Sequence, residues 1–223
     1  TGLPLSMRKN GGSKSGPSPD SGTTAGPRQT LVTGEAVRMA AVDLRRDLDE
    51  AGGDLSKREG KEYFAEFFDP TDKLGADVPF PKSHVAYGFA AHVVAPDDEG
   101  RVKEVYAAPD PGKVVNPTSI QGQIEGGVLM GMGYALTEHF PLEDCVPQAK
   151  YGTLGLLHST QIPDIHAIYV EKDELLPFAY GSKGIGEISA IPTAPAVQGA
   201  YYFRDGKFRT SLPLEDTYYS KKH

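Results

Sequence analysis

The stretch "NPTSIQGQIEGGVLMGMGYALTEH", residues 116–139, decides how this chain folds. Asn116-Pro117 is a helix-start signal. An asparagine side chain can accept from a first-turn N–H, and proline lacks the N–H that would go unbonded there. From about Thr118 to His139, Ile124, Val128, Leu129, Met132 and Leu136 recur on one helical face, with Phe140 continuing it. The same segment holds Gly122, Gly126, Gly127, Gly131 and Gly133. Each costs up to ~1 kcal/mol of helix stability relative to alanine. The sequence therefore predicts a helix whose backbone is closely approached by something else.

Upstream, "HVAYGFAAHVV" (84–94) and "RVKEVYAA" (101–108) read as two strands joined by the turn "DDEG" (97–100). The aromatic "EYFAEFF" (62–68) reads as another strand. Val37, Ala40, Ala41, Leu44 and Leu48 have helical spacing between Pro27 and about Glu50. Pro27 suits the first position of that helix, Gly26 suits its cap, and Gly52 and Gly53 end it. Residues 2–29 are rich in Gly, Ser and Pro, and their middle has the composition of a linker. Downstream, "IHAIYVE" (165–171) reads as a strand, "IPTAPAVQGAYYF" (191–203) as a helix, and "YYSKKH" as an exposed tail. Strands and helices mix without a regular βαβ alternation, so an α+β fold is expected.

Bulk properties narrow the function. The chain has 223 residues, 39% of them hydrophobic, and a net charge of -7, with a pI of about 5.4. The acidic balance argues against broad nucleic-acid binding, which needs a basic face. The single cysteine, Cys145, excludes an internal disulfide and a self-contained iron–sulfur cluster. Such cysteine usage fits a reducing, cytoplasmic location. No run of ~18 apolar residues predicts a membrane span. The chain begins at Thr1, so a fragment or processed product is expected.

Three stretches hold residues suited to chemistry. In "DSGTTAGPRQT" (20–30), small residues lead into a helix start with Arg28 and Gln29 in its first turn. Free N–H groups at such a start bind anions, and arginine adds a bidentate phosphate donor. A plain surface loop fits the same residues. In "NPTSIQGQIEGG" (116–127), Gln123 offers a donor and an acceptor to an amide-rich or oxo ligand, or else faces water. In "GSKGIGE" (181–187), Gly181, Gly184 and Gly186 free the backbone around Ser182 and Lys183, and the run ends in Glu187. The spacing matches neither a Walker A loop nor the dinucleotide fingerprint. A glutamate beside an apolar run can serve as a general base if desolvated. A solvated turn glutamate is the alternative. The histidines show no metal-ligand spacing such as H-E-x-x-H.

In this order and spacing, "DSGTTAGPRQT", "DPGKVVNPTSIQGQIEGGVLMGMGYALTE" and "GSKGIGE" resemble the C-terminal part of the molybdopterin-binding subunit of the xanthine dehydrogenase/aldehyde oxidoreductase family. The resemblance runs from about Ser18 to Tyr219. The wording "SGTT…RQT" looks closest to the bacterial branch often called selenium-dependent xanthine dehydrogenases. It implies one C-terminal molybdopterin-binding domain over residues 1–223, with subdomains at about 20–110 and 111–220. It also implies a molybdenum cofactor on molybdopterin, in the cytosine dinucleotide form usual in bacteria, with no protein ligand to the metal. By resemblance, Ala25, Gly26, Arg28 and Gln29 contact the pterin or its phosphate, and Gln123 bonds near the metal end. Ser182, Lys183 and Gly184 pass beside the cofactor. Glu187 matches the catalytic glutamate, which takes a proton while an electron-poor C–H of a purine, N-heterocycle or aldehyde is hydroxylated with oxygen from water.

Two positions depart from the family pattern: Pro27, often serine there, and Ser189, more often proline. The family's first molybdopterin-binding domain has no counterpart in these residues, nor do its FAD and [2Fe-2S] modules, which are expected on partner subunits. The isolated chain is expected to be inactive. A non-catalytic structural or assembly domain of a larger oxidoreductase complex is the alternative.

Overall fold

The computed structural model describes residues 3–4, 6, 20, 22–24, 26–69, 71–84, 86–150, 152–171 and 176–220. Most of the expected linker, Ala25 and the last three residues lie outside this set. In chain order the elements are α1 (Gln29–Glu50), β1 (Ala90–Pro96), β2 (Val102–Pro109), α2 (Pro117–Leu136), β3 (Leu142–Glu143), β4 (Val146–Pro147), β5 (Asp164–Ala167) and α3 (Thr193–Asp205).

The main sheet has the order β1-β2-β5. β1 and β2 are antiparallel, with Val94 opposite Val105. Their turn is tied by the Asp97 carboxylate, which accepts from the amides of Glu99 and Arg101 at 3.1 and 2.8 Å. β5 lies parallel to β2, with Tyr106 opposite His166. A parallel neighbour requires a crossover, and α2 lies within that connection. The fold is α+β, as expected, though it contains this one βαβ unit.

α2 starts as its sequence predicts. The Asn116 side chain accepts from the Ser119 amide at 3.1 Å, and Pro117 occupies the first turn. Ile124, Val128, Met132 and Leu136 are buried, whereas Phe140 lies beyond the helix and is exposed. The glycines divide into two sets. A Cβ at Gly127 would fall 2.6 Å from Ser189 Cβ, and one at Gly131 would fall 2.6 Å from Thr193 Cβ. These two let α3 and the turn before it sit against the helix backbone. Gly122 and Gly126 have nothing within 4 Å of such a Cβ.

Val105 and Ala107 of β2, the buried face of α2, and Val197 and Tyr201 of α3 form the main core. Residues 214–219 contribute to it, so the first part of the expected exposed tail, Tyr218 and Tyr219, packs against the core. Leu214 and Tyr219 are buried, and the Tyr219 hydroxyl accepts from the Val102 amide at 3.1 Å. Burial pushes the Tyr201 phenol up to about 12 while its hydroxyl donates to the Gly100 carbonyl at 2.5 Å.

The strand expected at 84–94 is present but starts later, and the one expected at 62–68 is absent. Residues 84–89 precede the strand, which starts at Ala90. Residues 62–68 form no strand. Side chains rather than a backbone ladder hold that segment to α1: Tyr63 donates to Asp47, which also pairs with Lys61 at 2.6 Å and Arg58 at 2.8 Å. These partners hold the Asp47 carboxyl at about 2, the bonds from Lys61 and Tyr63 being the main cause.

Candidate cofactor-binding site

The three stretches singled out in the sequence converge. The last to arrive is a tight turn, where Ala179, Tyr180 and Gly181 all have left-handed φ values of 50, 53 and 79°. It feeds Ser182 into an antiparallel bridge with Gly112. Lys113 donates its amide to the Gly181 carbonyl at 3.0 Å, and Lys183 donates its own to Pro111 at 2.9 Å. Gly112 must be glycine: φ is +60°, and a Cβ would fall 2.0 Å from the Gly181 oxygen. The Lys183 ammonium donates to Asp110 Oδ2 at 2.6 Å, and Asp110 Oδ1 accepts from the Gly112 amide at 3.0 Å. The "DPGK" loop thus clamps "GSKG".

The residues before α1 close the other side. A Cβ at Gly184 would fall 1.3 Å from the Pro27 carbonyl oxygen, and one at Gly186 would fall 3.1 Å from Pro27 Cβ. Between these parts lies a cavity of about 370 Å³. Its walls include Thr24, Pro27 and Gln29 before and at the start of α1, and Asn116, Ser119 and Gln123 at the start of α2. Ser182 through Gly186 complete it. This volume lies in the range of small-molecule sites, roughly 300–1,000 Å³.

Two features of the walls suit a polar ligand. Ser182 is 1% exposed, and its Oγ has no hydrogen-bond partner among the described residues. A buried hydroxyl left unbonded is costly, so a ligand accepting or donating there would be favoured. The first turn of α1 has no side-chain cap and no acidic residue, which leaves its N–H groups and the positive end of the helix dipole available to an anion.

Each expected site residue has a definite place. Gln29, Gln123, Ser182, Lys183 and Gly184 line this cavity. The Gln29 amide oxygen accepts from Thr24 Oγ1 at 3.0 Å. Lys183 is engaged by Asp110, so its ammonium serves the clamp. Arg28 stands at the N-cap of α1 and lines a second cavity of about 620 Å³, which shares Thr24 and Gln29 with the first. Gly26 adopts φ +55° just before the helix, beside His84. Ala25 lies outside the described residues. Glu187 follows Gly186 in an exposed turn, and its carboxylate has no hydrogen bond or ion pair among the described residues. The described residues do not supply the desolvated setting expected for it. Asp110, Lys113 and the Pro27 carbonyl were not legible as site residues, because their roles depend on contacts between distant loops.

The fold and the cavity define a cofactor-binding domain. The family model described as "Molybdopterin cofactor-binding domain" matches residues 10–163. This chain belongs to that family. It is 29% identical over 190 residues to isoquinoline 1-oxidoreductase subunit beta of Brevundimonas diminuta, covering 84% of this chain and 21% of that protein. It is 30% identical over 198 residues to aldehyde oxidoreductase of Megalodesulfovibrio gigas, covering 82% of this chain and 21% of the relative. The solved structure of the aldehyde oxidoreductase from Desulfovibrio gigas superposes with a TM-score of 0.67 at 26% identity, over 82% of this chain and 21% of that one. The chain thus spans about a fifth of the length of these relatives. Among the described residues, no helix is long and apolar enough to cross a membrane.

Proposed function

We propose that this chain forms one wall of the active site of a molybdenum hydroxylase of the xanthine dehydrogenase type, acting on a purine, N-heterocycle or aldehyde. One observation carries the reading: three separate stretches enclose a single cavity whose wall holds the buried, unbonded Ser182 hydroxyl. These residues fit a molybdopterin. Ser182 Oγ and Gln123 offer hydrogen bonds to its ring edges, and the uncapped start of α1 with Arg28 suits a phosphate of a cytosine dinucleotide form. When bound, the molybdenum centre supplies the two-electron oxidation of the C–H bond. Glu187 accepts a proton as water-derived oxygen is delivered to carbon, and the clamp by Asp110 fixes the loop that carries it.

The other parts of the active site come from a first molybdopterin-binding domain or subunit, with electrons leaving through iron–sulfur and FAD subunits in the cytoplasm. Covering the exposed Glu187 turn with that neighbouring domain provides the desolvation a general base requires.

Glu187→Gln in the intact protein tests this reading. The variant keeps size and hydrogen bonding but cannot take the proton. Cofactor content and folding stay as in the parent, while turnover falls by about 10²-fold or more. The acidic limb of the parent's pH–rate profile disappears. The exposure of Glu187 favours a second reading, that the domain serves assembly alone. Turnover within a few-fold of the parent would establish it.

A further inference from the structure

Buried carboxylates outside the site are few, and Glu35 is unusual among them. It sits in the second turn of α1, 3% exposed. Oε2 accepts from the Ala179 amide at 2.6 Å, across 144 residues of sequence. Both oxygens also accept from Arg38, Oε2 from Nε at 2.7 Å and Oε1 from Nη2 at 2.6 Å. The Arg38 guanidinium in turn lies 5.9 Å from the centroid of the Tyr180 ring. Leu31 and Ala179 are packed together beside this network, with Val32, Phe67 and Phe178 around them.

The segment grasped in this way is strained. Ala179 and Tyr180 are non-glycine residues at φ 50 and 53°, followed by Gly181 at 79°. Side chains with a Cβ rarely adopt this conformation, and it persists only where the surroundings over-determine it. Here the surroundings are Glu35 from one side and the Asp110 clamp from the other. Directly after this turn, Ser182 and Lys183 enter the cavity wall, and Glu187 follows on the same loop.

We propose that Glu35, locked by Arg38, is a positioning residue. It holds the Ala179–Gly181 turn in its left-handed conformation and so sets the placement of Ser182 and Glu187. This rests on the functional reading above as far as turnover is concerned, whereas the tether itself does not. The carboxylate is suited to the task. Arg38 and the Ala179 amide hold it ionised against the opposing effect of burial, Arg38 being the larger influence. An ionised acceptor binds an amide more strongly than a neutral one.

The experiment compares Glu35→Ala, Glu35→Gln and Glu35→Ala/Ala179→Gly with the parent in the intact protein. Hydrogen–deuterium exchange is read on peptides covering 178–187 and, as an internal reference, on β1, β2 and α2. In Glu35→Ala, exchange over 178–187 rises at least about tenfold while the reference peptides hold. Turnover falls about tenfold or more, and the molybdenum content stays near that of the parent. Glu35→Gln keeps a neutral acceptor and falls between the two. Glycine at 179 adopts the left-handed conformation without a Cβ penalty, so the double variant recovers part of the loop protection and the turnover. A residue that merely fills the core would not be rescued in this way.

Unchanged exchange in Glu35→Ala overturns the tether. Faster exchange with unchanged turnover overturns the positioning role. If Glu35→Ala does not fold, Glu35→Gln carries both readouts. Failure of the functional reading shows separately, as full turnover in Glu187→Gln, and leaves the exchange result standing.

Discussion

The carbonyl oxygen of Pro27 occupies the space where Gly184 would carry a side chain, 1.3 Å from the position of a Cβ. The loop glycine therefore serves the seating of one protein segment on another, and the cavity forms beside that contact. This gives different glycines of the chain different fates on substitution.

Gly184→Ala forces Pro27 and the start of α1 outward. Overpacking of this kind costs ~1–3 kcal/mol, and more where only backbone is available to move. At about 2–4 °C per kcal/mol for a domain of this size, a melting temperature lower by roughly 2–12 °C is expected. Gly126→Ala should act oppositely, since nothing lies within 4 Å of its Cβ. Alanine there gains ~0.5–1 kcal/mol of helix stability. Thermal melting of both variants of this chain checks the pair. Destabilisation by Gly126→Ala would show that a neighbour covers that face of α2.

The Asp110–Lys183 pair predicts a non-additive result. Its side chains are 4% and 16% exposed, and the bond is 2.6 Å long. Asp110→Asn leaves a largely buried ammonium without its counter-charge, which costs up to about 3–5 kcal/mol. Asp110→Asn/Lys183→Met removes both charges and should cost clearly less than the single change. Urea denaturation of Asp110→Asn, Lys183→Met and the double variant measures this. A double variant as unstable as the sum of the singles would mean the clamp acts through shape rather than charge.

How far these features could be read in advance differs from element to element. α2 was legible because its cap, its proline and its apolar period all agree. The β1–β2 hairpin was legible from alternation around an Asp97-anchored turn. The segment 62–68 misled because aromatic alternation reports which side chains face the protein, and not whether a backbone partner exists. The tail misled because Tyr219 is buried by a contact with Val102, 117 residues away. At the site, the stretches carrying Gln29, Gln123 and Ser182 could be found by motif, and the cavity unites them. Glu35 and Asp110 could not, since an acid on a helix or in a loop becomes informative only when its distant amide or ammonium partner is known.

A pH dependence follows from His92. Its Nδ1 lies 3.0 Å from Thr193 Oγ1, and Nε2 is buried without a partner among the described residues. Burial pushes the imidazole below its ordinary pKa. The folded state then binds a proton less readily than the unfolded chain, so stability rises with pH across this window. The stabilisation is complete above the unfolded value of ~6.5 and declines as pH falls from there toward the folded value. Denaturation midpoints at several pH values between 5 and 7.5 should show this slope, and His92→Gln should lack it. Asp47 and Asp205, both held at about 2, act in a separate window, losing their contribution as pH falls from about 4 toward 2. An identical slope in parent and His92→Gln would assign the effect to other groups.

Ser182 gives a prediction whose sign depends on the ligand. In the chain without cofactor, its Oγ is buried and makes no hydrogen bond among the described residues. Replacing such a hydroxyl by hydrogen removes an unmet desolvation cost, so Ser182→Ala should leave stability unchanged or raise it by up to ~1 kcal/mol. In the intact protein carrying its cofactor, the same change deletes a hydrogen bond from the cavity wall. A bond worth ~0.5–1.5 kcal/mol corresponds to roughly a two- to tenfold faster loss of the group. Melting of the cofactor-free chain and the rate of molybdenum release from the intact protein read the two effects independently. Stabilisation in the first with faster release in the second places the hydroxyl against the bound group. If release is unchanged, Ser182 does not touch the cofactor, and the proposed contact is overturned.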